Sequence, residues 1–200
     1  MQAPFLIGTR VYLRAVEPRE APLLTAWMND PEVTRFVLSG AQPLNEVKEA
    51  SFIERMYTST TDVVLLVCLR EPVGEFGADT PLGVLGLHGI DPVHRFATLG
   101  IALGVAGLRD RGLGTEATAL LVAHAFESLN LERVELSVFD HNPRAHAVYT
   151  KLGFVEEGRL VKRRYKGGAW RDEILMAISR TRWLGARTAP VEPGRVPRPA

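Results

Sequence analysis

The chain has one cysteine, Cys68, in 200 residues. An intrachain disulfide framework is therefore excluded, and a reducing compartment is expected. Cys68 sits in Val63-Val64-Leu65-Leu66-Val67-Cys68-Leu69, which reads as a buried strand. A small buried hydrophobe fits that place better than a catalytic thiol, because nothing nearby in sequence would lower its pKa. Charge of one sign is also lacking. The 24 lysines and arginines meet 23 aspartates and glutamates, for a net charge of +1, so no general field draws the chain to nucleic acid or to a membrane. No apolar run approaches the ~18 residues that a membrane span needs. The start, Met1 to Ile7, lacks the charged and long apolar regions of a signal peptide. His94, His124, His141 and His146 show no metal-ligand spacing, so no metal is expected. What remains is a cytoplasmic protein. With 46% hydrophobic and 24% charged residues, it suits one α/β domain with a real core.

The pattern along the chain alternates strand and helix. Val11-Tyr12-Leu13 reads as a strand, and Leu23, Leu24, Trp27 and Met28 form one face of a helix that Asn29-Asp30-Pro31 ends. A second helix is expected from about Leu44 to Tyr57, then the Val63–Leu69 strand and a Gly/Pro-bearing loop from Glu71 to Thr80. Leu82–Ile90 and Ala97–Val105 read as strands, and their short joint, Asp91 to Arg95, suits an antiparallel pair. The clearest helix runs from Thr115 to Leu129, with a wide apolar stripe. Val134–Val138 alternates as a strand; Asn142 and Pro143 open a helix, and Gly153 stands just past its end. Phe154–Gly158 and Asp172–Ile178 read as a last antiparallel pair around Lys166-Gly167-Gly168. The run Lys162 to Lys166 reads as a solvated hairpin edge. The domain is expected over 1–184. Residues 185–200, with Pro190, Pro193, Pro197 and Pro199, read as a disordered tail.

The segment that carries chemistry is Arg109-Asp110-Arg111-Gly112-Leu113-Gly114-Thr115, between a strand and a helix. Glycines there let the backbone approach a ligand, and the opening helix offers unpaired N–H groups and a partial positive charge to a phosphate. Arg109 and Arg111 add charge where a polyanion would sit, although two solvated arginines on a tight turn would look the same. Gly112, Gly114 and Ala117 also match a dinucleotide fingerprint, with Asp140 as a ribose acid. Placement argues against that rival, because over a hundred residues of antiparallel pattern come first.

Arg109-x-x-Gly112-x-Gly114 is similar to the acetyl-CoA signature of the GNAT superfamily of N-acetyltransferases. Asn142-Pro143-Arg144-Ala145, Tyr149 and Lys151-Leu152-Gly153-Phe154 resemble that superfamily's later block. Glu157-Gly158-Arg159, Gly167-Gly168, Asp172 and Met176 resemble the RimJ/RimL-like branch, which is related to spermidine N-acetyltransferases. The resemblance implies an α/β (α+β) fold, a central mixed, mostly antiparallel sheet flanked by helices, with its fourth and fifth strands splayed apart. It implies acetyl-CoA as cosubstrate. Backbone from Leu103 to Val105 would hold the pantetheine arm, with Asn142 opposite, and Arg109, Asp110, Arg111, Gly112, Leu113, Gly114 and Thr115 would hold the pyrophosphate. Tyr149 falls where the family places the general acid that protonates the departing thiolate, a role suited to a phenol. Tyr149 also belongs, with Ala145, Val148 and Leu152, to a stripe at core spacing. The resemblance leaves a homodimer open.

One departure stands out. Relatives carry a glutamate in the stretch that here reads Ala97-Thr98-Leu99-Gly100, so the base is unassigned, with His88 and Asp91 as candidates by position. Gly86 and Gly89 stand where spermidine acetyltransferases carry acidic groups. The acceptor is therefore expected to be an amine of modest pKa, such as a peptide or protein N-terminus, ahead of a polyamine. A catalytically silent acyl-CoA-binding relative is the alternative.

Overall fold

The computed structural model describes residues 1, 3–38 and 40–188. A short leading strand, β1 (Leu6–Ile7), pairs antiparallel with β2 (Val11–Ala15). Then come α1 (Ala21–Asn29), α2 (Pro31–Thr34), α3 (Glu46–Thr58), β3 (Val63–Leu69), β4 (Pro81–Asp91) and β5 (Phe96–Leu103). The second half holds α4 (Leu113–Glu127), β6 (Arg133–Phe139), α5 (Pro143–Lys151), β7 (Val155–Lys166), β8 (Ala169–Ser179) and α6 (Arg180–Thr188). Among the described residues the strands form one sheet, in the order β1-β2-β3-β4-β5-β6-β8-β7. Only β5 and β6 run parallel, so the sheet is mixed and mostly antiparallel.

Strict alternation along the inner strands divides the core in two. Val11 and Leu13 of β2, with Leu65, Val67 and Leu69 of β3, share one core cluster with Leu121, Ala125 and Phe126 of α4 and with Phe154, which follows α5. Tyr12, Leu66 and Cys68 point the other way, against Leu24, Trp27 and Ile53 of α1 and α3. A sheet buried on both faces needs an apolar residue at nearly every position, and β3 supplies that run. Burial pushes up the pKa of the Cys68 thiol, in keeping with a packing role.

The decisive feature is the short contact between β5 and β6. They pair at Phe96 with Arg133, Ala97 with Val134 and Thr98 with Glu135, and no further. Past Thr98, β5 continues along β4 up to Gly83 with Leu103, while β6 turns to β8. The expected splay is therefore present; the leading strand merely shifts the count by one.

Several boundaries differ from the sequence reading. α4 begins at Leu113, so Leu113 and Gly114 belong to its first turn. β5 stops at Leu103, and Val105 caps a short 3-10 turn, Ala106–Leu108. The last hairpin is far longer than expected, because its polar outer residues hide a strand pattern. Its basic run is also not simply solvated: Arg164 pairs with the buried Glu173 at 3.0 Å, and the Lys166 ammonium donates to the Thr34 carbonyl at 3.2 Å. α6 carries helix to Thr188, beyond the expected boundary at 184; the rest of the expected tail, 189–200, lies outside the described residues.

Candidate active site between strands β5 and β6

The opening between β5 and β6 is a cavity of about 1000 Å³. Its two ends are chemically unlike. At one end lie Leu103, Leu108, Arg109, Asp110, Gly112, Leu113, Gly114, Thr115, Asn142 and Tyr149. Val105 and Arg111, expected beside them, do not line it.

Gly112 caps α4 at φ +75°, and Asp110 has φ +62°. Two left-handed residues in three turn the chain sharply into the helix, and a Gly and an Asp are among the few residues that tolerate this. No side chain caps the helix. Its first intrahelical bond runs from the Glu116 N–H to the Gly112 carbonyl, so the N–H groups before it are open to a ligand and carry the positive end of the helix dipole. A Cβ on Gly114 would come within 2.9 Å of the end of the Leu103 side chain, so this first turn packs directly on β5. The turn is braced from behind: Arg10 donates from Nε to Glu116 at 2.9 Å and from Nη1 to the Arg111 carbonyl at 2.7 Å. Burial works to raise the Glu116 pKa, but the Arg10 and Val11 hydrogen bonds outweigh it and hold the carboxyl below its ordinary value.

The arginines are tethered differently from one another. Arg109 donates from Nη2 to the Leu103 carbonyl at 3.2 Å, whereas the exposed Arg111 donates to the Gly107 carbonyl at 3.1 Å. Both Gly104 and Val105 direct their N–H groups to the Leu82 carbonyl. The unpaired backbone edge of β5 thus lies upstream, between Leu99 and Leu103. Across the opening, Asp110 and Arg144 form an ion pair at 2.7 Å. Asn142 caps α5, its Oδ1 accepting from the Ala145 N–H at 3.2 Å, which leaves its amide N–H groups for any further partner.

Tyr149 lies deep in the opening, 8% exposed, its ring tilted against Phe154 at 5.9 Å. Burial pushes its pKa up to about 12. Among the described residues its hydroxyl has no hydrogen-bond partner.

The other end is walled by Leu24, Met28, Phe36, Leu44, Phe52, Val64 and Val84 of the α1–α3 face, with the carboxylates of Glu32 and Glu49 among them. Glu49 is 7% exposed, and burial raises its pKa. His88 lines this end as well, its Nδ1 3.1 Å from Asp62 Oδ1. Asp91 does not line the cavity; its carboxylate accepts from the His94 and Val93 N–H groups, bonds that lower its pKa and fix its own turn. No sequence signal singled out Asp62 or Glu49. Both lie in ordinary polar positions, and only the fold brings them near the opening.

Residues 10–155 match the acetyltransferase (GNAT) domain family. The chain belongs to the GNAT acetyltransferases. The uncharacterized N-acetyltransferase YoaA of Bacillus subtilis is 25% identical over 179 residues, covering 90% of this chain and 98% of YoaA. Spermidine N(1)-acetyltransferase of Escherichia coli is 33% identical over 108 residues, covering 54% of this chain and 58% of that enzyme. In fold, the chain is similar to spermidine N-acetyltransferase from Vibrio cholerae, solved in complex with CoA and spermine, with a TM-score of 0.78 at 22% identity, covering 88% of this chain and 99% of that one. It is accordingly an N-acetyltransferase with acetyl-CoA as cosubstrate. Among the described residues no group of three or more His, Cys, Asp or Glu is placed to hold a metal, and no helix is long and apolar enough to cross a membrane.

Proposed function

We propose that this enzyme moves the acetyl group of acetyl-CoA to a primary amine by direct attack, and that the acceptor is an α-amino group at a peptide or protein N-terminus. The observation that carries the reading is one cavity with two unlike ends. A helix start with open N–H groups lies at one, and a largely apolar pocket with two carboxylates lies at the other.

Acetyl-CoA supplies an acetyl group activated as a thioester. The residues present suit it. The open N–H groups from Leu113 to Thr115, with Arg109 beside them, receive a pyrophosphate; Gly112 and Gly114 leave the room that side chains would fill. The free edge of β5 gives backbone partners to an extended pantetheine arm, and Asn142 adds side-chain amide donors from the facing helix. Tyr149 is a neutral phenol throughout the physiological range and can give its proton to a departing thiolate.

The acceptor reading rests on proton supply. Attack needs a neutral amine. With a pKa near ~8, roughly one α-amino group in ten is neutral at pH 7, against about one in several thousand for an amine near ~10.4. Thr98 brings no carboxylate to close that gap, and the apolar walls suit the side chain of a first residue. Competition settles the choice. An α-amino peptide and spermidine, at equal concentration with acetyl-CoA, should give predominantly acetyl-peptide from pH 6 to 9 by mass spectrometry. Preference for spermidine would overturn the acceptor assignment, and would put Glu32 and Glu49 to work as partners of a second cation.

A further inference from the structure

Beside the opening, β4 carries a bulge. His88 pairs with Thr98 and Asp91 with Phe96, so Gly89 and Ile90 together face Ala97 alone. Gly89 takes φ +59°, a backbone state that favours glycine, and the Ile90 N–H reaches across to the Thr61 carbonyl at 2.7 Å. Bulges of this kind re-aim the adjoining side chain, and here that side chain is His88. Its Nδ1 is held by Asp62, whose other oxygen accepts from Ser59 at 2.8 Å and from Thr61 at 3.0 Å. Burial works to raise the Asp62 pKa, yet the bonds from Ser59, His88 and Thr61 prevail and keep the carboxylate ionised.

An ionised aspartate on Nδ1 makes that nitrogen the one bearing hydrogen in the neutral ring, and leaves the Nε2 lone pair free. Nε2 lies over two residues without side chains. A Cβ on Gly86 would stand 3.1 Å from it, and one on Gly100 3.6 Å. Gly86 and Gly100 are cross-strand partners on the same face as the pair His88–Thr98, so the ring leans along a bare strip of sheet. Thr98 is also the last β5 residue paired with β6. The free lone pair is thus directed at the place where the sheet opens.

We propose that His88, oriented by Asp62, is the general base that takes the proton of the attacking amine; the inference rests on the acetyl-transfer reading above. The amine nitrogen bonds to the acetyl carbon, and the bond from that carbon to sulfur breaks. One N–H proton passes to His88 Nε2, and the thiolate takes a proton from Tyr149. The half-exposed imidazolium then releases its proton to water, and the phenolate recovers one from it. Among the described residues Asp62 is the charged group hydrogen-bonded to the ring, and Gly86, Thr98, Gly100 and Val64 around it bring none. Glu32 and Glu49 line the same cavity, and Glu135, paired to Thr98, is engaged by Arg133 at 2.5 Å.

The test is His88→Ala and His88→Gln, assayed with acetyl-CoA and either an α-amino peptide or spermidine, whichever the wild type uses faster. Both variants should bind acetyl-CoA within threefold of wild type, and kcat/KM at pH 7 should fall by about 10²-fold or more. Added imidazole should restore turnover to His88→Ala in proportion to its neutral form, which a purely structural role would not allow. Asp62→Asn should show a smaller loss in the same direction. Loss below threefold, or loss in His88→Ala that imidazole does not restore while His88→Gln stays fully active, would overturn the assignment. So would removal of the acid limb of the pH profile by Glu49→Gln. Wild-type failure to acetylate either amine, with acetyl-CoA bound, would instead overturn the reading on which this inference rests.

Discussion

The two ends of the cavity are built by different means. The Arg109–Thr115 end is made of backbone: a left-handed glycine, a helix start without a cap, and a strand edge released from its neighbour. Its residues lie within a short stretch, and each must be of a particular kind. The α1–α3 end is made of side chains drawn from three helices, two strands and the loop between α2 and α3, and many apolar residues would serve at most of these places. A site that binds with backbone leaves its mark in sequence as fixed glycines; a site that binds by packing leaves almost none.

Substitutions at the two ends should therefore fail in distinct ways. The largest effect is expected at Gly112. Gly112→Glu forces a side chain into φ +75° and puts a carboxylate where we propose the pyrophosphate sits, and calorimetry should show acetyl-CoA affinity reduced by about 10²-fold or more. Between the ends, Tyr149→Phe removes only a hydroxyl from a buried ring. It should lower kcat by on the order of 10²–10⁴-fold with acetyl-CoA affinity nearly unchanged; a loss below about tenfold, with chemistry limiting, would return Tyr149 to the core.

Glu49 sharpens the contrast from the acceptor end. Its pKa is raised from 4.5 by burial, so the folded state holds its proton more tightly than the unfolded chain does. Stability tied to that proton is complete below pH 4.5 and is lost as pH rises through the folded value. Glu49→Gln should consequently raise Tm at pH 7. The gain should vanish at pH 4, with acetyl-CoA binding untouched. The smallest effect is expected at the Asp110–Arg144 pair, which is exposed on both sides. Arg144→Ala should weaken acetyl-CoA binding by less than about fivefold, less still at high salt, as expected of an exposed ion pair.

Legibility followed the same division. The 109–115 turn, the Asn142 cap and the position of Tyr149 were readable because spacing and residue type are both constrained there. The end of β5 at Leu103 has no sequence mark, because an apolar residue after a strand looks like more strand; it is Gly104 and Val105 sharing the Leu82 carbonyl that mark it. Strand β7 was cut short, since its exposed outer face reads as polar loop. The His88–Asp62 pair was half-visible: His88 stood out as a position, but Asp62 is 26 residues away, and the bulge at Gly89 that joins them has no signature beyond one glycine.

In the proposed complex acetyl-CoA enters the opening between β5 and β6, with its phosphates on the start of α4. Backbone amide shifts on titration with acetyl-CoA test this without reference to any acceptor. The account predicts the largest changes at Leu99–Leu103, Gly112–Thr115 and Asn142–Ala145, with the β7–β8 hairpin nearly silent. Changes centred on that hairpin, with the amides of Gly112 to Thr115 unmoved, would contradict it.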